Sequence, residues 1–143
     1  MIDIIIRILR KSDCSDFLDL LNTFRPIDKA VVQNNFDMLY NVIFQNSIIF
    51  VIEYNKKIIG TAKLVKEQKF YHNMALYGSI EDVIIDPMYR GKQLGKQLIQ
   101  YIIEYGKTIK LRKIRLNCDE KVLNFYIKNK FSVNGVNMVY NIS

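Results

Sequence analysis

Cysteine, proline and histidine are scarce in this chain of 143 residues, and no apolar run is long. Each shortage rules something out. With only Cys14 and Cys118 present and no secretion signal ahead of them, a disulfide framework is not expected; free thiols in a reducing compartment are. The lone His72 makes no metal-ligand pair with either cysteine, so no metal is expected. The apolar stretch from Ile4 to Leu9 is broken by Arg7 and is far too short for a bilayer span or a signal sequence. It reads as the first strand of a cytoplasmic protein with no membrane insertion. The only prolines, Pro26 and Pro87, fall between periodic segments, and no repeat or low-complexity tract divides the chain. One domain over residues 1–143 is the expectation.

Half of the residues are apolar, which at this length suffices for a compact core. Lys and Arg number 21 against 14 Asp and Glu, and the formal charge of +7 calls for an anionic partner. Nucleic acid, an acidic membrane face and a phosphorylated small molecule all satisfy it.

Periodicity orders the elements. Asp13 can cap a helix with Phe17, Leu20, Leu21 and Phe24 on one face, and Val32, Phe36, Leu39, Tyr40 and Ile43 mark a second helix. Ile48 to Tyr54 and Lys57 to Val65 are β-rich runs flanking the polar pair Asn55-Lys56, a hairpin. Ser79 to Asp86 is a third run, ended by Pro87, and Leu94, Leu98, Ile102 and Tyr105 line an amphipathic helix that closes near Gly106. Lys113 to Cys118 returns as a strand. Asp119 can cap a helix through about Lys130, and Val136, Met138, Tyr140 and Ile142 alternate as a final strand. The strand-helix-strand unit from Ser79 to Cys118 should form a right-handed parallel crossover, whose ligands bind where strand meets helix.

At that junction lies Asp86-Pro87-Met88-Tyr89-Arg90-Gly91-Lys92-Gln93-Leu94-Gly95-Lys96. Gly91 and Gly95 allow close backbone approach, the first helical turn offers N–H groups without intrahelical partners, and Arg90, Lys92 and Lys96 surround it with positive charge. The glycine spacing is neither a Walker loop nor a dinucleotide fingerprint. A glycine-containing turn ahead of a solvated basic helix would read the same way.

This stretch resembles the acyl-donor loop of the GNAT superfamily of N-acetyltransferases: Gln or Arg, two residues, Gly, one residue, then Gly or Ala. Arg90 and Gly95 fit, and Gln93 replaces the middle glycine. Three more segments are similar in order and spacing to the glucosamine-6-phosphate N-acetyltransferases of that superfamily. They are Glu67-Gln68-Lys69-Phe70-Tyr71-His72, Gly78-Ser79-Ile80-Glu81-Asp82-Val83, and Asn117-Cys118-Asp119-Glu120-Lys121 leading to Asn124-Phe125-Tyr126.

The resemblance implies an α/β GNAT fold, a mixed central β-sheet flanked by helices with a strand-helix-strand acetyl-CoA-binding unit. It implies acetyl transfer from acetyl-CoA to the amine of glucosamine 6-phosphate, giving N-acetylglucosamine 6-phosphate for UDP-N-acetylglucosamine synthesis, by a homodimer without metal. The implied cofactor contacts are Val83, Ile84, Ile85, Arg90, Gly91, Lys92, Gln93, Leu94, Gly95, Lys96, Asn124 and Tyr126, with the Val83 N–H polarising the acetyl carbonyl. Tyr126, Glu81 and Asn117 take catalytic positions; Lys69, Phe70, Tyr71, His72, Glu81, Asp82, Asn117 and Arg25 take acceptor positions. Besides Gln93, four features depart from the family: Asn117 replaces a carboxylate, Val122 replaces an asparagine that commonly contacts the cofactor, Lys130 replaces the glycine that ends the helix, and Tyr140-Asn141 stands where some members have an arginine.

Rival readings are another acetyltransferase of the superfamily acting on a peptide or polyamine amine, a non-catalytic CoA-binding module, and a basic nucleic-acid module suggested by Lys110, Arg112, Lys113 and Arg115. Alternation of those cations with Ile114 and Leu116, and the lack of any nucleic-acid motif, speak for a charged strand instead. No nucleic-acid partner is expected.

Overall fold

Asn55 and Lys56 both adopt positive φ, 48° and 60°, as a two-residue type I′ hairpin turn requires. In the computed structural model, which describes residues 2–143, this turn joins β2 (Ser47–Tyr54) to β3 (Lys57–Gln68). β1 (Ile5–Ile8) pairs antiparallel with β2, and β4 (Leu76–Ile85) antiparallel with β3. β5 (Leu111–Leu116) runs parallel to β4, completing a five-stranded sheet ordered β1-β2-β3-β4-β5. The parallel pair is joined by α5 (Leu94–Thr108), the expected crossover helix.

Successive strand residues point to opposite faces, so β2 serves two cores. Ile49 and Val51, with Ile58 and Ile84, meet Phe17, Leu18 and Leu20 of α1 (Cys14–Phe24) and Phe36 of α3 (Phe36–Ile43). Phe50 and Ile52, with Leu64 and Ile80, meet Leu94, Leu98, Ile99 and Ile102 of α5 and Tyr126 of α6 (Leu123–Lys128). Each such buried side chain stabilises the fold by roughly 1.5–3 kcal/mol. Arg7 on β1 forks onto Asp13 (2.8 Å) and reaches Glu53 (2.8 Å), tying the first strand to the start of α1.

Several elements differ from the sequence expectation. The helix through Val32 and Ile43 is two helices, α2 (Lys29–Asn34) and α3, separated at Asn35, whose side-chain amide donates to the Val31 carbonyl (2.8 Å). β4 begins at Leu76, and β5 ends at Leu116, leaving Asn117 and Cys118 beyond it. The helix after Asp119 opens with the 3₁₀ turn Glu120–Val122 and ends at Lys128. The final strand does not form. Residues 132–143 have no regular structure, and Val136, Met138, Tyr140 and Ile142 are 86–89% exposed. A strand exists only against a partner edge, and this segment pairs with none among the described residues.

Candidate active site

A break in the ladder opens the site. β4 and β5 pair only as far as Ile80 and Leu116. On the other side of β4, Lys63 pairs with Glu81 and Thr61 with Ile84, so Asp82 and Val83 together face Ala62, and Asp82 takes φ 54°. A bulge of this kind bends and twists its strand. From Glu81 to Ile85, β4 keeps β3 on one edge and has no strand on the other. Such an edge can hydrogen-bond an extended ligand that carries amides.

The anion cradle follows directly. Asp86, itself buried, accepts from the Met88 N–H (2.9 Å) and fixes the 3₁₀ turn Pro87–Tyr89. Gly91 (φ 79°) and Gln93 (φ 59°) then turn the chain into α5 through left-handed conformations. Gln93 thus keeps the backbone geometry expected of the glycine it replaces. No side chain caps α5, and its first internal bond runs from the Gln97 N–H to the Gln93 carbonyl (3.1 Å). The N–H groups of Leu94, Gly95 and Lys96 are therefore free for a ligand at the positive end of the helix dipole.

An open cavity of about 450 Å³ lies here, lined by Ile85, Tyr89, Arg90, Gly91, Gln93, Leu94, Gly95, Lys96, Phe125, Lys128 and Asn129. Arg90 donates to the Ile85 carbonyl at its edge (3.4 Å). Asn129 gives its side-chain amide to the Phe125 carbonyl (2.7 Å), while its buried Oδ1 has no donor among the described residues. A pyrophosphate fits the free N–H groups and cations, and an amide-bearing arm fits the β4 edge, so these residues suit the CoA ester implied by the sequence. Lys128 and Asn129 were not singled out from the sequence. Their spacing from Phe125, three and four residues, places them on its helix face and was the available signal.

A second cavity, about 1360 Å³, runs along the free edge of β5 and reaches the gap where β4 and β5 part. There it is lined by Ser79, Glu81, Asp82, Asn117, Cys118 and Tyr126. The Tyr126 ring is buried edge-on to Phe125 (4.9 Å) and Phe131 (5.8 Å). Its hydroxyl has no hydrogen-bond partner among the described residues. Burial, and secondarily the charge of Cys118, raise the phenol above its ordinary pKa, so it is a neutral donor at physiological pH. Asp82 pairs with Lys63 (3.4 Å), and Glu81 is exposed without an ion pair among the described residues.

The structure thus brings Glu81, Asp82, Asn117 and Tyr126 to one cavity and Ile85, Arg90, Gly91, Gln93, Leu94, Gly95 and Lys96 to the other. Val83 packs against the α5 core, and Ile84 is buried on the α1 side. Lys92 and Asn124 are exposed and line neither cavity. Phe70 and Tyr71 are 96% and 76% exposed, beside the four-residue turn α4 (Tyr71–Met74), in which His72, Asn73 and Met74 all have positive φ. These residues and Arg25, which lies over its neighbour Phe24 at the end of α1, line neither cavity.

Lys69 also lines neither cavity, but it joins a cluster of cations. Its Nζ lies 5.3 Å from the centre of the Tyr77 ring, with Lys113 at 4.8 Å and Arg115 at 5.4 Å from the same ring. Glu67 pairs with Lys69 and with Arg115 (3.2 Å), and the Lys69 hydrogen bond holds its carboxyl below the usual range. Among the described residues no group of three His, Cys, Asp or Glu side chains could hold a metal, and no helix is long and apolar enough to cross a membrane.

The family model described as "Acetyltransferase (GNAT) family" matches residues 9–131. A glucosamine 6-phosphate N-acetyltransferase of Trypanosoma brucei brucei is 34% identical over 92% of this chain and 90% of that protein. The Arabidopsis thaliana protein of the same name is 32% identical over 91% of this chain and 93% of its own length. A crystal structure of the Arabidopsis enzyme superposes with a TM-score of 0.89 at 31% identity, covering 99% of both chains. A probable glucosamine 6-phosphate N-acetyltransferase of Drosophila melanogaster is 42% identical over 54% of this chain; there the match spans only 36% of the relative.

Proposed function

This chain belongs to the acetyltransferase (GNAT) family, and from that premise we propose that it acetylates the amine of glucosamine 6-phosphate with acetyl-CoA as donor. The observation that carries the proposal is the end-to-end likeness to the trypanosomal and Arabidopsis proteins of that name. The meeting of an anion cradle, a free strand edge and an acidic pair around one gap supports it.

Acetyl-CoA supplies the acetyl group as a thioester. The free N–H groups opening α5, with Arg90, Lys96 and Lys128, hold its phosphates, and the unpaired edge of β4 aligns its arm. The Val83 N–H polarises the carbonyl. Tyr126 donates a hydrogen bond to the departing sulfur, for which a neutral phenol without another partner suits. Glu81 receives the amine proton through water, and Asn117, which takes no proton, orients the amine through its amide oxygen. Positioning two substrates in one gap supplies much of the rate enhancement in such a direct transfer.

The working unit in this reading is a homodimer in the cytoplasm. Support for the dimer comes from the exposed apolar residues of 132–143 and from the cavity along the free edge of β5, which has room for another strand. Each tail would complete the sheet of the other copy.

The test is release of free CoA thiol from acetyl-CoA on addition of glucosamine 6-phosphate, glucosamine, spermidine or a lysine peptide. Fast release is expected with the sugar phosphate and much slower release with the others. Equal rates on all four would remove the substrate assignment.

A further inference from the structure

Three cations converge on the ring of Tyr77, and between them they have one carboxylate. Glu67 serves Lys69 and Arg115, while Lys113 has no acidic partner among the described residues. Like charges gathered this closely on one ring leave a local excess of positive charge, which a dianion would relieve. The buried Tyr77 ring limits the freedom of their side chains, so part of the entropy of ordering them is already lost.

The cluster also lies in the right place. Lys113 and Arg115 line the cavity that contains Ser79, Glu81, Asn117 and Tyr126. Arg115 pairs in register with Ser79, and Glu81 is the next residue of β4 on the same face. Along β4 the register position of Arg115 and the acid are two residues apart, a rise of about 6.6–6.8 Å, and both residues line the one cavity. Neither Arg25 nor His72 lines this cavity, and Tyr140-Asn141 brings no cation.

We propose that Arg115 and Lys113, braced on Tyr77 beside Lys69, bind the phosphate of the acceptor and set the preference for a phosphorylated over a plain amino sugar. The inference rests on the sugar-phosphate reading above and extends it to residues that reading does not assign. Arg115 offers a planar donor fork suited to phosphate, and Lys113 a point charge beside it.

The test compares R115Q, K113Q and the double variant with R112Q, which removes the same charge from the neighbouring position of β5, one that has no register partner on β4 and lines neither cavity. Steady-state rates are measured on glucosamine 6-phosphate and on glucosamine at saturating acetyl-CoA, after thermal melts confirm folding. R115Q should raise the KM for the sugar phosphate about tenfold, with KM for acetyl-CoA unchanged. The ratio of kcat/KM between phosphorylated and plain amine should fall by the same factor, and R112Q should leave it alone. An unchanged ratio in the double variant, or equal losses on both amines, overturns the assignment. If the wild-type protein does not acetylate glucosamine 6-phosphate, the substrate reading fails. The cluster is then judged by inorganic phosphate: saturable binding lost in the double variant upholds an anion site, and absent or unaltered binding ends it.

Discussion

Tyr126 belongs to the core and to the site at once, which is why the sequence leaves its role open. Val122, Phe125 and Tyr126 share helix-face spacing, and a half-buried core tyrosine would show the same pattern. The structure separates ring from hydroxyl: the ring packs against Phe125 and Phe131, and the hydroxyl of this cavity-lining residue has no hydrogen-bond partner among the described residues. Tyr126→Phe keeps the ring packing and removes only the donor. Its melting temperature should stay within a degree or two of wild type, while kcat falls at least about tenfold with KM for acetyl-CoA little changed. The pH dependence has a definite sign. Burial raises the phenol pKa, so the donor form is complete at neutral pH and is lost only as pH rises beyond the ordinary phenol range. A pH profile of kcat should therefore show a high alkaline limb in the wild type that the Phe variant lacks. Unchanged turnover in the variant would return Tyr126 to the core alone.

Helix α6 ends in a cap built for glycine. Lys130 takes φ 69°, its N–H donates to the Ile127 carbonyl (3.0 Å), and the Phe131 N–H donates to that of Tyr126 (3.0 Å), the two bonds of a Schellman motif. A lysine in that conformation costs about 1 kcal/mol relative to glycine. Lys130→Gly should raise stability by about that amount in urea unfolding, with m unchanged; a loss of stability would mean that the lysine side chain contributes more than its backbone strain costs. This cap was legible, because a single lysine departed from an otherwise matching stretch. So was the β2–β3 hairpin, where Asn55 tolerates positive φ and both flanking runs favour strand. The bulge at Asp82 was not: its left-handed φ interrupts no hydrophobic pattern, and the acidic pair reads equally well on a regular strand. The break at Asn35 was hidden for a related reason. Val32, Phe36, Tyr40 and Ile43 all face the same core across it, so the period survives although the helix does not.

At the scale of the molecule, the alternation of Val136, Met138, Tyr140 and Ile142 encodes burial without saying which chain provides it. All four are exposed in the single chain, while the outer edge of β5 has no neighbouring strand among the described residues and a long cavity runs beside it. Unpaired strand edges and exposed apolar segments each favour association, and here the two are complementary within one sequence. Full burial of any one of these side chains is worth roughly 1.5–3 kcal/mol. If two copies exchange tails, the native protein sediments at twice the chain mass at micromolar concentration, and its melting temperature rises with protein concentration. Met138→Asp with Tyr140→Lys should shift the sedimenting species to the chain mass, remove that dependence and lower the melting temperature, because strand pairing would then place charge in the cavity beside β5. A wild-type monomer whose melting temperature is independent of concentration but falls in this variant would mean that the tail folds back on its own β5. A wild-type monomer unaffected by the variant would leave the edge of β5 open in solution.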